Sequence, residues 1–335
     1  MQKAKFYTKL ENKKVQCLLC PHNCIIANGE IGICNVRKNI KGELYSENYR
    51  KTCSLSFDPI EKKPLYHFYP GNIIFSVGSI GCNLKCKFCQ NWEISQTKVS
   101  DFNYLQNYSP TEIIEKSKQN KNNIGIAFTY NEPTVWYEFM LEIAKESKKI
   151  DLKNVVVTNG FINEKPLEEL LNFTDAFNID LKAFNNNFYK QQTEAKLEPV
   201  LKNIKAISKK GKHIELTNLI IPTLNDDEKE FREMLKWIAN ETGQDTVLHL
   251  SRYFPNHKMN IPPTPENKLL QLYEIAKEYL NFVYLGNIST SKGQNTYCPN
   301  CGELLIKRTG YSTFIKNLNK NGKCKYCKEE VVKLN

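Results

Sequence analysis

Eleven of the twelve cysteines in this 335-residue chain fall into three tight groups, and that grouping constrains the fold more than any other feature. Cys17, Cys20, Cys24 and Cys34 make the first, Cys82, Cys86 and Cys89 the second, and Cys298, Cys301, Cys324 and Cys327 the third. The chain begins Met1-Gln2-Lys3-Ala4-Lys5 and runs on into polar sequence instead of a signal-peptide apolar core. A cytoplasmic setting is therefore expected, where thiols stay reduced and regular cysteine spacing points to metal. Cys53 stands apart and reads as a buried structural thiol. No stretch approaches the ~18 apolar residues that a bilayer crossing needs, so no membrane association is expected.

Hydrophobic residues make up 41% and charged residues 25%, the balance of a chain that folds around a core. Basic residues outnumber acidic ones 47 to 36, for a net charge of +11. Only five of the 47 are arginine, the residue that bidentate phosphate and base recognition usually recruits, so nucleic acid is a disfavoured partner. No G-x-x-x-x-G-K-S/T loop or G-x-G-x-x-G fingerprint appears, which argues against nucleoside-triphosphate and dinucleotide enzymes.

From about residue 72 to 286 short apolar runs alternate with amphipathic stretches. Strands are expected at 73–77, 124–128, 155–157, 176–181, 214–221, 247–254 and 282–285. Helices are expected after Ser109-Pro110 and over 133–149, 166–171, 197–210, 227–241 and 265–280. Such alternation predicts an α/β fold of parallel strands with helical crossovers, either a barrel or a doubly wound sheet, with ligands at the carboxyl-terminal strand ends. The expected division is a Cys-rich metal-binding module over 1–70, an enzyme-sized core over 71–287 and a metal-binding tail over 288–335 that a polar linker sets apart.

Cys82-x3-Cys86-x2-Cys89 supplies three thiolates just after a predicted strand. A closed zinc site wants four ligands, whereas an iron–sulfur cube held by three cysteines leaves one iron open to a substrate or cofactor. The competing reading is a zinc site that borrows a distant histidine such as His67. Here the sequence resembles the radical S-adenosylmethionine (SAM) superfamily. That resemblance implies a partial (β/α)6 TIM-like barrel, a 4Fe-4S cluster on Cys82, Cys86 and Cys89, and S-adenosylmethionine on the fourth iron. It further implies reductive cleavage to a 5'-deoxyadenosyl radical that abstracts hydrogen from a substrate, with Phe88 near the adenine.

The same resemblance gives roles to residues at predicted strand ends. Tyr130-Asn131-Glu132-Pro133 stands where glycyl-radical activating enzymes contact the methionyl amine, so Asn131 and Glu132 are expected to bind the cofactor. Thr158-Asn159-Gly160, otherwise a plain Asn-Gly turn, resembles those enzymes' motif beside the ribose and methionyl group. Asp180 and Lys182 can face one side of their strand, and Lys182 with His249 matches the pair near the methionyl carboxylate; without the family, His249 reads as a hydrogen-bonded core histidine. No residue is assigned a direct catalytic part.

Over nearly the whole chain the sequence is most similar to the radical SAM enzymes of the AmmeMemoRadiSam system, relatives of pyruvate formate-lyase activating enzymes. The phrases that carry this are Cys17-Leu-Leu-Cys20-Pro-His-Asn-Cys24, Gly32-Ile-Cys34-Asn-Val-Arg37, Cys89-Gln-Asn-Trp92, Thr129-Tyr-Asn-Glu-Pro-Thr134, Ile221-Pro222 with Asn225-Asp226, His249-Leu-Ser-Arg252-Tyr-Phe-Pro255 and Asn295-Thr-Tyr-Cys298-Pro-Asn-Cys301-Gly302. After Cys327 the tail departs from that pattern, lacking the expected Gly and terminal aromatic. The resemblance implies a protein substrate, through association with Memo-like or AMMECR1-like partners, and an electron donor such as flavodoxin or ferredoxin. Cys298-x2-Cys301 and Cys324-x2-Cys327 have the spacing of a zinc ribbon. Cys17-x2-Cys20-x3-Cys24-x9-Cys34 suits zinc or an auxiliary iron–sulfur cluster, with zinc slightly preferred, and His22 could replace one ligand. Two other functions compete: a radical SAM enzyme that modifies RNA, suggested by the charge and the ribbon, and a non-enzymatic electron-transfer or metal-binding protein.

Overall fold

The apolar runs form a single eight-stranded sheet in the computed structural model, which describes residues 1–334. Its strands are β1 Ser54–Pro59, β2 Ile73–Gly78, β3 Asn123–Phe128, β4 Lys153–Thr158, β5 Ala176–Asp180, β6 His213–Ile220, β7 Val247–Arg252 and β8 Val283–Gly286. Each lies beside its chain neighbour; β2 to β8 are parallel, and β1 runs antiparallel along β2. Six helices make the crossovers: α1 Pro110–Ser117, α2 Tyr137–Lys148, α3 Glu164–Leu171, α4 Leu197–Lys209, α5 Glu228–Thr242 and α6 Glu266–Lys277. A doubly wound sheet reverses its strand order at a switch point. This one never does, so the winding is that of a barrel, six β/α units followed by a seventh parallel strand.

Local chemistry sets the helix starts. Ser109 and Glu112 form a reciprocal capping box ahead of α1, with Pro110 at its first position, and Asp227 accepts the Glu230 N–H at 2.9 Å ahead of α5. Strands β3 to β5 are buried on both faces, as parallel strands sandwiched between helices and a barrel interior must be. Among the described residues no helix is long and apolar enough to cross a membrane.

The expected boundary at residue 70 is displaced, because Ser54–Pro59 already belongs to the core sheet. Ahead of it, two small antiparallel sheets carry the first cysteine group, one of Tyr7–Lys9, Val15–Cys17 and Ile25–Ile26, the other of Gln2–Lys3, Glu43–Ser46 and Arg37–Ile40. Arg37 fastens this module to the core: fully buried, it donates to Glu138 Oε1 on α2 at 3.0 Å and to the Lys5 carbonyl at 2.6 Å. The Cys53 thiol, half-buried, donates to the Ser79 carbonyl at 2.8 Å.

The tail is not set apart. Its hairpin strands, β9 Thr296–Tyr297, β10 Leu304–Thr309 and β11 Ser312–Ile315, close over the amino-terminal end of the barrel. Leu305, Ile306, Val331 and Val332 share an apolar cluster with Tyr66, Val247, Phe282 and Tyr284. The Arg308 guanidinium lies 4.3 Å from the Tyr66 ring centre and donates to the Tyr66 carbonyl at 2.8 Å. Even the polar linker is packed, since the Leu285 N–H donates to the Gly293 carbonyl and the Gln294 amide donates to the Leu285 carbonyl. Periodicity in the linker registers its polarity but not these long-range contacts.

Glu215 on β6 sits at the centre of this closed end, with no exposed surface. It accepts the Tyr66 and His67 N–H groups at 2.9 and 2.7 Å, His213 Nε2 at 2.9 Å and His249 Nε2 at 2.7 Å. Burial alone would raise its pKa, but the hydrogen bonds and charges of the two histidines hold the carboxyl well below its usual range. Its contribution to stability is therefore complete above the ordinary value of 4.5 and is lost as pH falls toward the folded-state value. Glu215→Ala leaves four donors without an acceptor and should lower the unfolding free energy by about 3–5 kcal/mol at neutral pH. Denaturant titrations should show that loss shrinking on acidification; an unchanged midpoint at pH 7 would contradict this picture.

Candidate active site

The loop that carries the second cysteine group leaves β2 through two glycines with no room for a side chain. A Cβ on Gly78 would stand 2.8 Å from the Tyr130 ring. Gly81 has φ +89°, and a Cβ there would stand 2.7 Å from the Cys34 carbonyl oxygen and 2.6 Å from Val36 Cγ1. Asn131 fixes the start of the loop, accepting the Ser79 N–H at 3.2 Å and donating to the Gly81 carbonyl at 2.9 Å. Asn83 fixes its middle, donating to the Phe161 carbonyl at 2.7 Å and accepting from Asn159 Nδ2 at 2.9 Å.

Cys82, Cys86 and Cys89 then face a cleft that encloses about 230 Å³. The other walls come from the carboxyl-terminal ends of all the remaining parallel strands: Tyr130 to Glu132 after β3, Asn159 after β4, Asp180 and Lys182 at β5, Thr217 and Leu219 on β6, Ser251 on β7 and Asn287 after β8. A wall drawn from every parallel strand requires the sheet to curl around the cleft.

Each charged group is held in place. Glu132 Oε1 accepts the Thr134 N–H at 3.0 Å and the Thr158 hydroxyl at 2.7 Å, and Oε2 accepts the Asn159 N–H at 2.8 Å. Burial pushes the Glu132 pKa up while these donors oppose it. Oε2 keeps acceptor capacity toward the cleft. Lys182 Nζ lies 3.0 Å from Asp180 Oδ2 and 5.8 Å from the centre of the Phe88 ring. Burial disfavours the Lys182 charge, but the Asp180 carboxylate outweighs it and holds the ammonium above the ordinary lysine range. Tyr130 adopts φ 76°, rare for an aromatic residue, and its hydroxyl donates to Asp58 Oδ2 at 2.7 Å.

Of the residues expected to bind a cofactor, Phe88, Asn131, Glu132, Asn159, Asp180 and Lys182 line the cleft. Thr158 stands behind it as the hydroxyl that positions Glu132. His249 does not reach it. That histidine lies one inward-facing step deeper on β7, bonded to Glu215, and Ser251 occupies the level at which a side chain meets the cleft. Thr217, Leu219, Ser251 and Asn287 also line the cleft, and no motif in the sequence marks them. Register from Asp180 points to Thr217, but the same ladder continues from Thr217 to His249, outside the cleft, while Ser251 pairs with Leu219 and with Gly286 just before Asn287.

The donor set fits a three-cysteine iron–sulfur cube. Among the described residues no histidine and no fourth cysteine lines the cleft, so a cluster held by these thiols would keep one iron free of protein ligands. His67, the ligand a zinc reading would borrow, lies at the opposite end of the barrel, 2.6 Å from the Tyr284 hydroxyl and 2.8 Å from the Val331 carbonyl. Cys82 Sγ accepts from the Leu84 N–H at 3.3 Å and Asn159 Nδ2 at 3.8 Å, donors suited to a thiolate. Burial pushes the Cys86 thiol up to about 12, so the bare group stays protonated until a metal takes the proton's place. The terminal quartet is different: all four Sγ atoms lie within 4.8 Å of one another, as ligands of a single ion do.

The sequence model of the radical SAM superfamily matches residues 77–238. An uncharacterized protein of Methanocaldococcus jannaschii is 45% identical over 334 residues, 99% of both chains. The pyruvate formate-lyase-activating enzyme of Clostridium pasteurianum is 24% identical over 189 residues, 54% of this chain and 74% of that one. Among solved structures, Streptococcus suis SuiB bound to S-adenosylmethionine superposes with a TM-score of 0.52 at 14% identity, over 72% of this chain and 56% of that one, a likeness of fold. The matched segment, which runs from the end of β2 through most of α5 and carries the three thiols of the cleft, is a radical SAM domain, and the chain has homology to the glycyl-radical activating enzymes.

Proposed function

We propose that this chain is a radical SAM enzyme of activating-enzyme type, belonging to the AmmeMemoRadiSam system and acting on a protein. The observation that carries this reading is the convergence, in one cleft, of three cysteines without a fourth protein ligand, a fixed carboxylate and a fixed ammonium. Cys82, Cys86 and Cys89 would hold a 4Fe-4S cluster, which when bound would supply the one electron for reductive cleavage of S-adenosylmethionine to methionine and a 5'-deoxyadenosyl radical. The protein's own task is to bind and orient. Glu132 Oε2 offers a charge-assisted acceptor to the methionyl ammonium. Lys182, already neutralised in part by Asp180, offers the complementary charge to the methionyl carboxylate, and Phe88 an apolar face to the adenine.

The similarity to activating enzymes of glycyl-radical proteins and the cysteine phrases shared over the full length support a protein substrate and a one-electron donor such as flavodoxin or ferredoxin. In this reading the terminal quartet holds structural zinc and the amino-terminal quartet a metal centre of its own. RNA modification is the weaker reading, since the ribbon that would recruit RNA caps the end of the barrel opposite the cleft.

Anaerobically reconstituted protein, given dithionite and S-adenosylmethionine, should release 5'-deoxyadenosine, and Cys86→Ala should abolish the release while retaining the native circular dichroism spectrum. Release undiminished in Cys86→Ala, or none from a cluster-loaded wild type, would refute the assignment. Glu132→Gln removes a charged acceptor worth about 1.5–3 kcal/mol, so the Kd for S-adenosylmethionine should rise roughly ten- to a hundredfold with the cluster absorbance unchanged. Unaltered affinity would remove Glu132 from the binding site.

A further inference from the structure

We propose that Cys17, Cys20, Cys24 and Cys34 hold a second iron–sulfur cluster, not a zinc ion, set against the loop that carries the first. The inference deepens the proposed function and rests on the reading of the Cys82 trio as ligands of a cube.

The chain supplies its own comparison for ligand spacing. Four sulfurs each about 2.3 Å from one zinc ion stand within about 4 Å of one another. The terminal quartet has that geometry, with Cys298 and Cys327 3.3 Å apart and Cys301 and Cys324 3.7 Å apart. Among the described residues it is the only set of three or more such ligands gathered within 4.8 Å. The thiols of a cube each bind a different corner iron and must stand wider apart. Among the described residues neither the Cys82 trio nor any three of the amino-terminal quartet are gathered within 4.8 Å.

That quartet is nonetheless one site. The Cys17 N–H donates to the Cys24 carbonyl at 2.9 Å, the Asn23 N–H to the Cys20 carbonyl at 3.0 Å, and Cys24 Sγ lies 3.9 Å from where a Cβ on Gly32, two residues before Cys34, would stand. Two asparagines in the left-handed region, Asn23 at φ 46° and Asn35 at φ 65°, turn the chain beside Cys24 and Cys34. Asn163, just before α3, locks the loop by donating to the Leu18 and Cys20 carbonyls and to Asn23 Oδ1 at 2.9, 3.2 and 3.0 Å. His22 is not a ligand candidate through Nε2, which lies 2.7 Å from the carbonyl of Asn83, the residue after Cys82.

That last contact also shows how close the two sites are. The Cys34 carbonyl packs where Gly81 lacks a side chain, one residue before Cys82. Cys20 and Cys24 are partly exposed, whereas Cys17 and Cys34 are buried, so the site bridges the surface and the cleft loop. This placement suits one-electron transfer. A low-potential donor protein of the flavodoxin or ferredoxin class loses one electron to the amino-terminal cluster, which is reoxidised when the electron passes to the cluster on Cys82, Cys86 and Cys89.

Three full-length proteins test this after anaerobic reconstitution: wild type, the Cys82/Cys86/Cys89→Ala triple variant and the Cys20/Cys24→Ala double variant. Iron, sulfide and zinc are measured per chain, and electron paramagnetic resonance spins are counted after dithionite. The expected contents are about eight irons in wild type and about four in each variant, with about one zinc throughout. The wild-type spin count should require two reduced clusters, a measurement independent of whether either variant folds. A triple variant with no iron, or with a second zinc, would overturn the inference, as would a wild type with about four irons and one cluster's spins. A double variant that loses all its iron while the triple variant keeps its own would instead overturn the reading of the Cys82 trio.

Discussion

Every strand of the central sheet lies next to its chain neighbour, and this order forces the carboxyl-terminal ends of seven parallel strands toward one mouth. A reversal of order anywhere would have opened a crevice between two halves of the sheet. Without one, the cleft draws a wall from each strand, and short loops can bring a carboxylate from β3, an amide from β4 and an ion pair from β5 within reach of three thiols. The chemistry proposed for this chain depends on that convergence more than on any single residue.

Two buried glutamates fix the ends of the barrel interior. Glu215 gathers two backbone N–H groups and two histidines at the closed end, and Glu132 gathers two backbone N–H groups and a hydroxyl at the open one. Removing either charge from water is costly, and only a nearly complete set of donors offsets that cost. The sets differ in one respect that separates structure from function. Glu215 has donors on all sides, while Glu132 retains an acceptor position facing the cleft.

Much of this was legible in the sequence. Long apolar runs bounded by helix-start signals such as Ser109-Pro110 gave the strands and helices, because parallel strands buried on both faces leave a continuous trace. The spacing Cys82-x3-Cys86-x2-Cys89 gave the thiols of the cleft. Depth along a strand was not legible: alternation puts His249 and Ser251 on the same face, and their β6 partners Thr217 and Leu219 both line the cleft, so only the hydrogen bond from His249 to buried Glu215 shows which of the two turns away from the mouth. The docking of the tail was equally hidden, since Arg308 meets the Tyr66 carbonyl across more than 200 residues of sequence and no local pattern encodes such a contact. Register also carried Ser54–Pro59 into the core sheet, past the point where composition suggested a boundary.

In this arrangement the Cys82 trio would leave one metal position open to the cleft, with Glu132 and Lys182 placed to hold the methionyl group beside it. Electron-nuclear double resonance on the reduced wild-type protein, with S-adenosylmethionine labelled with 15N at the methionyl amine and 17O at the carboxylate, tests this most directly. Both labels should show hyperfine coupling to the cluster on Cys82, Cys86 and Cys89. A cluster with normal iron and sulfide content, saturated with the labelled cofactor and showing no coupling to either label, would contradict it.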